Sequence, residues 1–175
     1  IVARFEADCP DTPFAERPYA GDRPTRYRLS PAEDPRAPRA DCTGCESRYP
    51  VFAAARIARA RVAGARFSRF DETFCGVQIR RGTDVLAREG ALEDLARVVE
   101  TGLMAERIGG LTGHGTGAAH VYLDLALLRI EAALPVIAGL MKDRGIETPA
   151  WMIFDEAGLE TVTLPLTPGT PPRPH

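Results

Sequence analysis

Beyond residue 48 the apolar residues fall into periodic runs. In "GALEDLARVVETGLMAER", Leu92, Leu95, Val99 and Leu103 recur on one helical face and Glu93, Asp94, Arg97 and Glu100 on the other, which predicts an amphipathic helix of about four turns. "RIEAALPVIAGLMKDRG" carries Ile130, Leu134, Ile137 and Met141 on a second such face. Pro135 lies close enough to a start at Ile130 to be tolerated, and Gly145 closes the helix in left-handed backbone. "YPVFAAARIARARVAGARF" predicts a further helix opened by Pro50 and ending near Gly64. Residues 74–80, 120–128, 149–156 and 159–166 are rich in β-branched, aromatic and aliphatic residues without a helical stripe, and predict strands. "GTDVLAREG" fits a helix extension or a hairpin equally well.

From residue 74 to 154 the order is therefore strand, helix, strand, strand, helix, strand. That is the order of the ferredoxin-like split β-α-β sandwich, an α+β fold with helices on one face of an antiparallel sheet. The glycine-rich "GGLTGHGTG" of residues 109–117 falls where the second and third strands must meet; Gly109 to Leu111 are expected to begin the second strand and the remainder to turn. Residues 1–48 are dense in Pro, Arg and Asp with no sustained period, and predict an irregular arm. Its aromatic residues Phe5, Phe14, Tyr19 and Tyr27 suggest packing along a surface at intervals. The expected division is an arm over 1–48, an α+β domain with a leading helix over 49–166, and an extended Pro-rich tail over 167–175.

Composition narrows the function classes. With 45% apolar residues in 175 the chain can bury a core, and a formal net charge of -2 gives no general attraction to nucleic acid or to an anionic membrane. Residues 1–70 hold thirteen Arg against nine acidic residues, and the rest of the chain nine basic against fifteen acidic, an asymmetry that permits attraction within or between chains. Arginine outnumbers lysine twenty-one to one, a bias that reads as that of a GC-rich bacterial genome. No apolar run reaches the roughly 18 residues of a membrane-spanning helix. A cytoplasmic location is favoured; export stays open, since the chain starts at Ile1.

The chemistry-bearing motifs are few. Gly113, Gly115 and Ala118 satisfy a G-x-G-x-x-A spacing, but a helix precedes and a strand follows, the reverse of what a dinucleotide's pyrophosphate needs. His114 and His120 could converge on a metal across a hairpin, yet they lack a carboxylate companion, and His120 reads better as a packed or hydrogen-bonded strand residue. Cys42-Thr-Gly-Cys45 is the most chemical motif: with Cys9 and Cys75 it could hold zinc, and otherwise its thiols are inert or disulfide-bonded. Asp124 alternates with apolar residues, so it is expected to face solvent or a helix end; Asp71, Glu72, Asp84, Asp155 and Glu156 read as ordinary loop and strand-end carboxylates. Phe74 and Tyr122 alone, without the Gly-Phe-basic pattern, do not make an RNA-binding sheet.

The segment from "IGGLTGHGTG" through "YLDLALL" to "PVIAGLMKDRGIETPAWMIFDE" resembles small bacterial ferredoxin-like proteins in which a Gly-rich turn leads into strand, helix and strand. The resemblance covers about residues 74–156 and implies a fold, an accessory or immunity-type role and no active site. The leading expectation is a non-enzymatic protein-binding module, an accessory, inhibitor or immunity-type partner. Its open sheet face and arm would grip another protein or a second copy, with Tyr122, Trp151, Phe154 and Arg80 as contacts. For Trp151 a core position is the stronger expectation. The alternative is a small metalloprotein or metal-dependent enzyme with zinc at Cys9, Cys42, Cys45 and Cys75. A third reading is an enzyme whose site lies between the arm and the glycine turn.

Overall fold

The computed structural model describes residues 9–33, 39–58, 63–82 and 85–172. Phe5, Asp84 and the stretch after the first helix at 59–62 lie outside them, as do residues 173–175. Seven strands, β1 (Thr25–Arg28), β2 (Cys42–Ser47), β3 (Thr73–Arg80), β4 (Gly109–Gly117), β5 (His120–Leu127), β6 (Ala150–Phe154) and β7 (Thr163–Pro165), form one antiparallel sheet in the order β1-β2-β4-β5-β3-β6-β7. Among the described residues three α-helices accompany it: α1 (Pro50–Ile57), α2 (Ala91–Ala105) and α3 (Ile130–Asp143).

The two long helices obey their sequence signals. α2 buries Leu92, Leu95, Val99 and Leu103 and carries Glu93 and Asp94 in its first turn, where the helix dipole favours them. α3 ends with Gly145 at φ 69°, Gly145 N–H bonding Lys142 O and Ile146 N–H bonding Met141 O. That pair of bonds satisfies the last carbonyls while Ile146 and Met141 pack together in the core. Both helices cover one sheet face, where Cys75, Val77 and Ile79 of β3, Val121, Leu123, Leu125 and Leu127 of β5, and Met152 and Phe154 of β6 form the main core with them.

Three expectations are corrected. The glycine stretch is no turn: all nine residues Gly109–Gly117 form β4, and only Ala118 and Ala119 separate it from β5. The arm is not irregular throughout, since it supplies β1 and β2 and thereby one whole edge of the sheet. Helix α1 stops at Ile57, well before Gly64.

The face opposite α2 and α3 is not open. Phe52 of α1 stacks on Phe74 of β3 with ring centroids 4.3 Å apart, and Phe14, Tyr49, Phe67 and Ala126 complete this second cluster. Cys42, Cys45 and Tyr122 form a third beside it. Tyr122 and Trp151 are accordingly interior, Phe154 is buried in the main core beneath α2 and α3, and of the four anticipated contact residues only Arg80 is exposed. The first part of the tail is also engaged, with the Trp151 indole N–H donating to Pro171 O at 2.9 Å.

Candidate functional site

Gly113, Gly115 and Gly117 of β4 alternate on one face, and that face receives the chain's own N-terminal part. A Cβ on Gly113 would run into the Glu46 carbonyl, and one on Gly117 into Asp41. On β3, a Cβ at Gly76 would occupy the space of the Arg39 guanidinium. Side chains are absent here because the paired strand β2 and the residues before it approach β4 and β3 this closely. The motif thus answers to close backbone approach.

Over those glycines sits a layer of buried charge. Asp124, 2% exposed, has Oδ1 2.6 Å from Arg39 Nη1 and Oδ2 2.8 Å from Arg56 Nη2. Asp155 lies 3.5 Å from Arg39 and 3.9 Å from Arg56. Burial alone would raise the Asp124 carboxyl, but Arg39 and then Arg56 overcome it and hold it down to about 2. Of the two expectations for Asp124, solvent or a helix end, solvent is wrong because the other face is covered too, and what Asp124 meets is Arg56 in the last turn of α1. Arg39 also lies over the Tyr122 ring, 5.1 Å from its centroid. Two cations and two anions compensate each other within this layer.

A second latch holds the arm further along. The buried Arg48 guanidinium lies 4.9 Å from the Phe14 ring centroid and 3.7 Å from Glu100 of α2. Desolvation lowers Arg48 to about 10. Glu46 of β2 accepts from the Tyr19 hydroxyl and meets His114 Nε2 at 3.0 Å.

Near the β4–β5 turn the arm contributes Asp41. Its Oδ2 accepts the backbone N–H groups of Ala119 at 2.7 Å and His120 at 3.0 Å, while Oδ1 accepts the Tyr122 hydroxyl and faces His120 Nδ1 at 3.3 Å. Burial opposes the charge on Asp41, but these donors outweigh it and lower its carboxyl. Burial and the Asp41 carboxylate together push the Tyr122 phenol up, so it remains a donor. His120 Nε2 has no hydrogen-bond partner among the described residues. Arg80 stands directly across from His120 in register and has no ion-pair partner among the described residues. Chemically, this is an imidazole fixed by a carboxylate, able to accept or deliver a proton at its outer nitrogen.

The four cysteines are free thiols and are not gathered at one point. Cys42 and Cys45 share the Tyr122 cluster, Cys75 belongs to the core on the opposite face, and Cys9 lies 3.5 Å from Arg66 O. Burial pushes Cys42 up to about 11 and raises Cys45 and Cys75 as well. Among the described residues no three His, Cys, Asp or Glu side chains form a group that could hold a metal ion. His114 pairs in register with Leu123 and so lies on the face away from His120, which keeps the two imidazoles apart.

At the outer edge, β1 has no strand beyond it in the sheet among the described residues. Leu29 N–H bonds Thr43 O, and by the alternation of an antiparallel ladder the amides of Arg26 and Arg28 point off the edge. Arg39, Asp41 and Arg56 were not singled out from the sequence. The period-two glycines of β4 were the available sign that some segment must lie close against them. No helix among the described residues is long and apolar enough to cross a membrane. No protein-family model matches the chain, and no curated protein or solved structure is significantly similar to it.

Proposed function

We propose that the chain is a non-enzymatic protein-binding module on a ferredoxin-like split β-α-β frame, an accessory or inhibitor-type partner that binds an acidic, extended segment of another protein along β1. The frame is read from the antiparallel order β4-β5-β3-β6 with α2 and α3 on one face. The observation that carries the function is the free edge of β1, whose outward amides at Arg26 and Arg28 can receive a further strand. Arg23, Arg26 and Arg28 are exposed there, and no acidic residue occurs between residues 23 and 32. Glu46 engages Arg26 at 3.1 Å; Arg23 and Arg28 have no ion-pair partner among the described residues. A second copy pairing β1 with β1 would set arginine against arginine, so the charge selects an acidic partner.

The test is fluorescence anisotropy of a labelled peptide alternating Glu and Val, against the wild type and the Arg26→Glu/Arg28→Glu variant. Binding that weakens with salt, disappears in the variant and protects the Arg26 and Arg28 amides from exchange supports the reading. Peptide binding indifferent to the reversal, no binding at millimolar peptide, or self-association through β1 in sedimentation would overturn it.

Acid–base chemistry at the Asp41–His120 pair is a second reading, favoured by the unpartnered Nε2 of an otherwise anchored ring. A hydrolytic activity on a panel of activated esters that is lost in His120→Gln and reduced in Asp41→Asn would support it; equal rates in all three proteins would remove it.

A further inference from the structure

We infer that Cys42 and Cys45 form a two-thiolate site for one soft, thiol-seeking monovalent cation, Cu(I) being the biological ion of that chemistry. The inference goes beyond the protein-binding reading and does not depend on it. In a regular strand, residues three apart lie on opposite faces. Here the register between β2 and β4 shifts between Cys42 and Gly44, leaving Cys42 opposite Gly117 and Cys45 opposite Gly115. Those two glycines share a face, so the bulge turns both thiols to the side of Tyr122, where the three side chains form one cluster flanked by Tyr27 and Leu29.

Gly115 leaves them room: a Cβ there would lie 3.4 Å from Cys42 Sγ and 3.0 Å from Cys45 Cβ. The β4 residues opposite them are two apart, a step of roughly 6.6 Å along that strand, so both thiols lie over one short stretch of it. No third ligand of the His, Cys, Asp or Glu type completes a group among the described residues, which disfavours tetrahedral zinc and suits an ion content with two soft donors. On binding, two S–H protons leave to solvent and two metal–sulfur bonds form, with no change of oxidation state. Two thiolates on a monovalent cation carry one net negative charge; burial and the Asp124 carboxylate oppose it, while the guanidiniums of Arg39 and Arg56, paired with Asp124 and Asp155, act on both sulfurs in its favour.

The experiment is anaerobic native mass spectrometry of the reduced full chain with Cu(I) buffered by bathocuproine disulfonate. One ion per chain is expected, retained by Cys9→Ser and Cys75→Ala and weakened at least about 100-fold in Cys42→Ser and in Cys45→Ser. Circular dichroism of each variant separates lost binding from lost folding. X-ray absorption of the wild type with Cu(I) gives a readout that needs no variant, and two sulfur neighbours are expected. No ion held against the chelator, an ion retained by Cys42→Ser, or a shell of three or four sulfurs would overturn the site. None of these outcomes bears on the β1 edge, which the peptide titration tests separately.

Discussion

Asp124 decides the character of the buried charge layer. Replacing it with Asn leaves two guanidiniums in the interior with the single carboxylate of Asp155, and breaking a buried pair in this way costs about 3–5 kcal/mol. Urea unfolding at pH 7 measures the loss. The same residue sets an acid limit. Its folded-state carboxyl is depressed to about 2, against about 3.9 in an unfolded chain, so its contribution is complete above pH 4 and fades as the pH falls toward 2. Asp41, also lowered, adds in the same direction, whereas Glu72 and Glu100 are raised by burial and gain stability as they protonate. Wild-type stability is expected to drop between pH 4 and 2, and the Asp124→Asn variant to show a flatter profile over that window. Parallel profiles would assign the acid limit to other groups.

At the level of elements, two glycines should respond oppositely to the same substitution. Gly113→Ala pushes a methyl into the Glu46 carbonyl, so β2 must move off β4 and the midpoint of thermal unfolding should fall. Gly139 in α3 is exposed with open space around its missing Cβ, and Gly139→Ala should stabilise by about 0.5–1 kcal/mol through helix propensity. The contrast explains what was legible in the sequence. α2, α3, β3, β5 and β6 were readable because their own side chains carry the pattern of the surface they cover. Of β4 only the start at Gly109–Leu111 was, because a strand of alternating glycine has no hydrophobic signal; its partner supplies the bulk. β2 escaped for the complementary reason, since the apolar and charged groups it meets lie some seventy residues away in the chain. The site inherited the same blindness: His120 and the two cysteines were noticed by type, but their companions Arg39, Asp41 and Arg56 acquire meaning only once the arm is laid on the sheet.

For the whole molecule, the arm and α1 together close one sheet face in the way that α2 and α3 close the other, and arginines of the first part of the chain pair with carboxylates of the second. Thiol reactivity reports this closure. Cys9, half-buried, should react first with a disulfide reagent in native buffer, while Cys42, Cys45 and Cys75, buried with raised thiols, should react at a rate limited by opening of the structure. Mass spectrometry of the labelled protein over time separates the classes, and early labelling of Cys42 or Cys45 would show that the arm lifts on its own. The glycine bed has a further consequence, for synthesis on the ribosome. Cys42 leaves the tunnel long before Gly117, its neighbour in the sheet, and at roughly 5–20 residues per second the interval lasts about 4–15 s. Throughout it β2 lacks the strand that it pairs with, so it is expected to join the sheet only after β4, made well after it, has emerged.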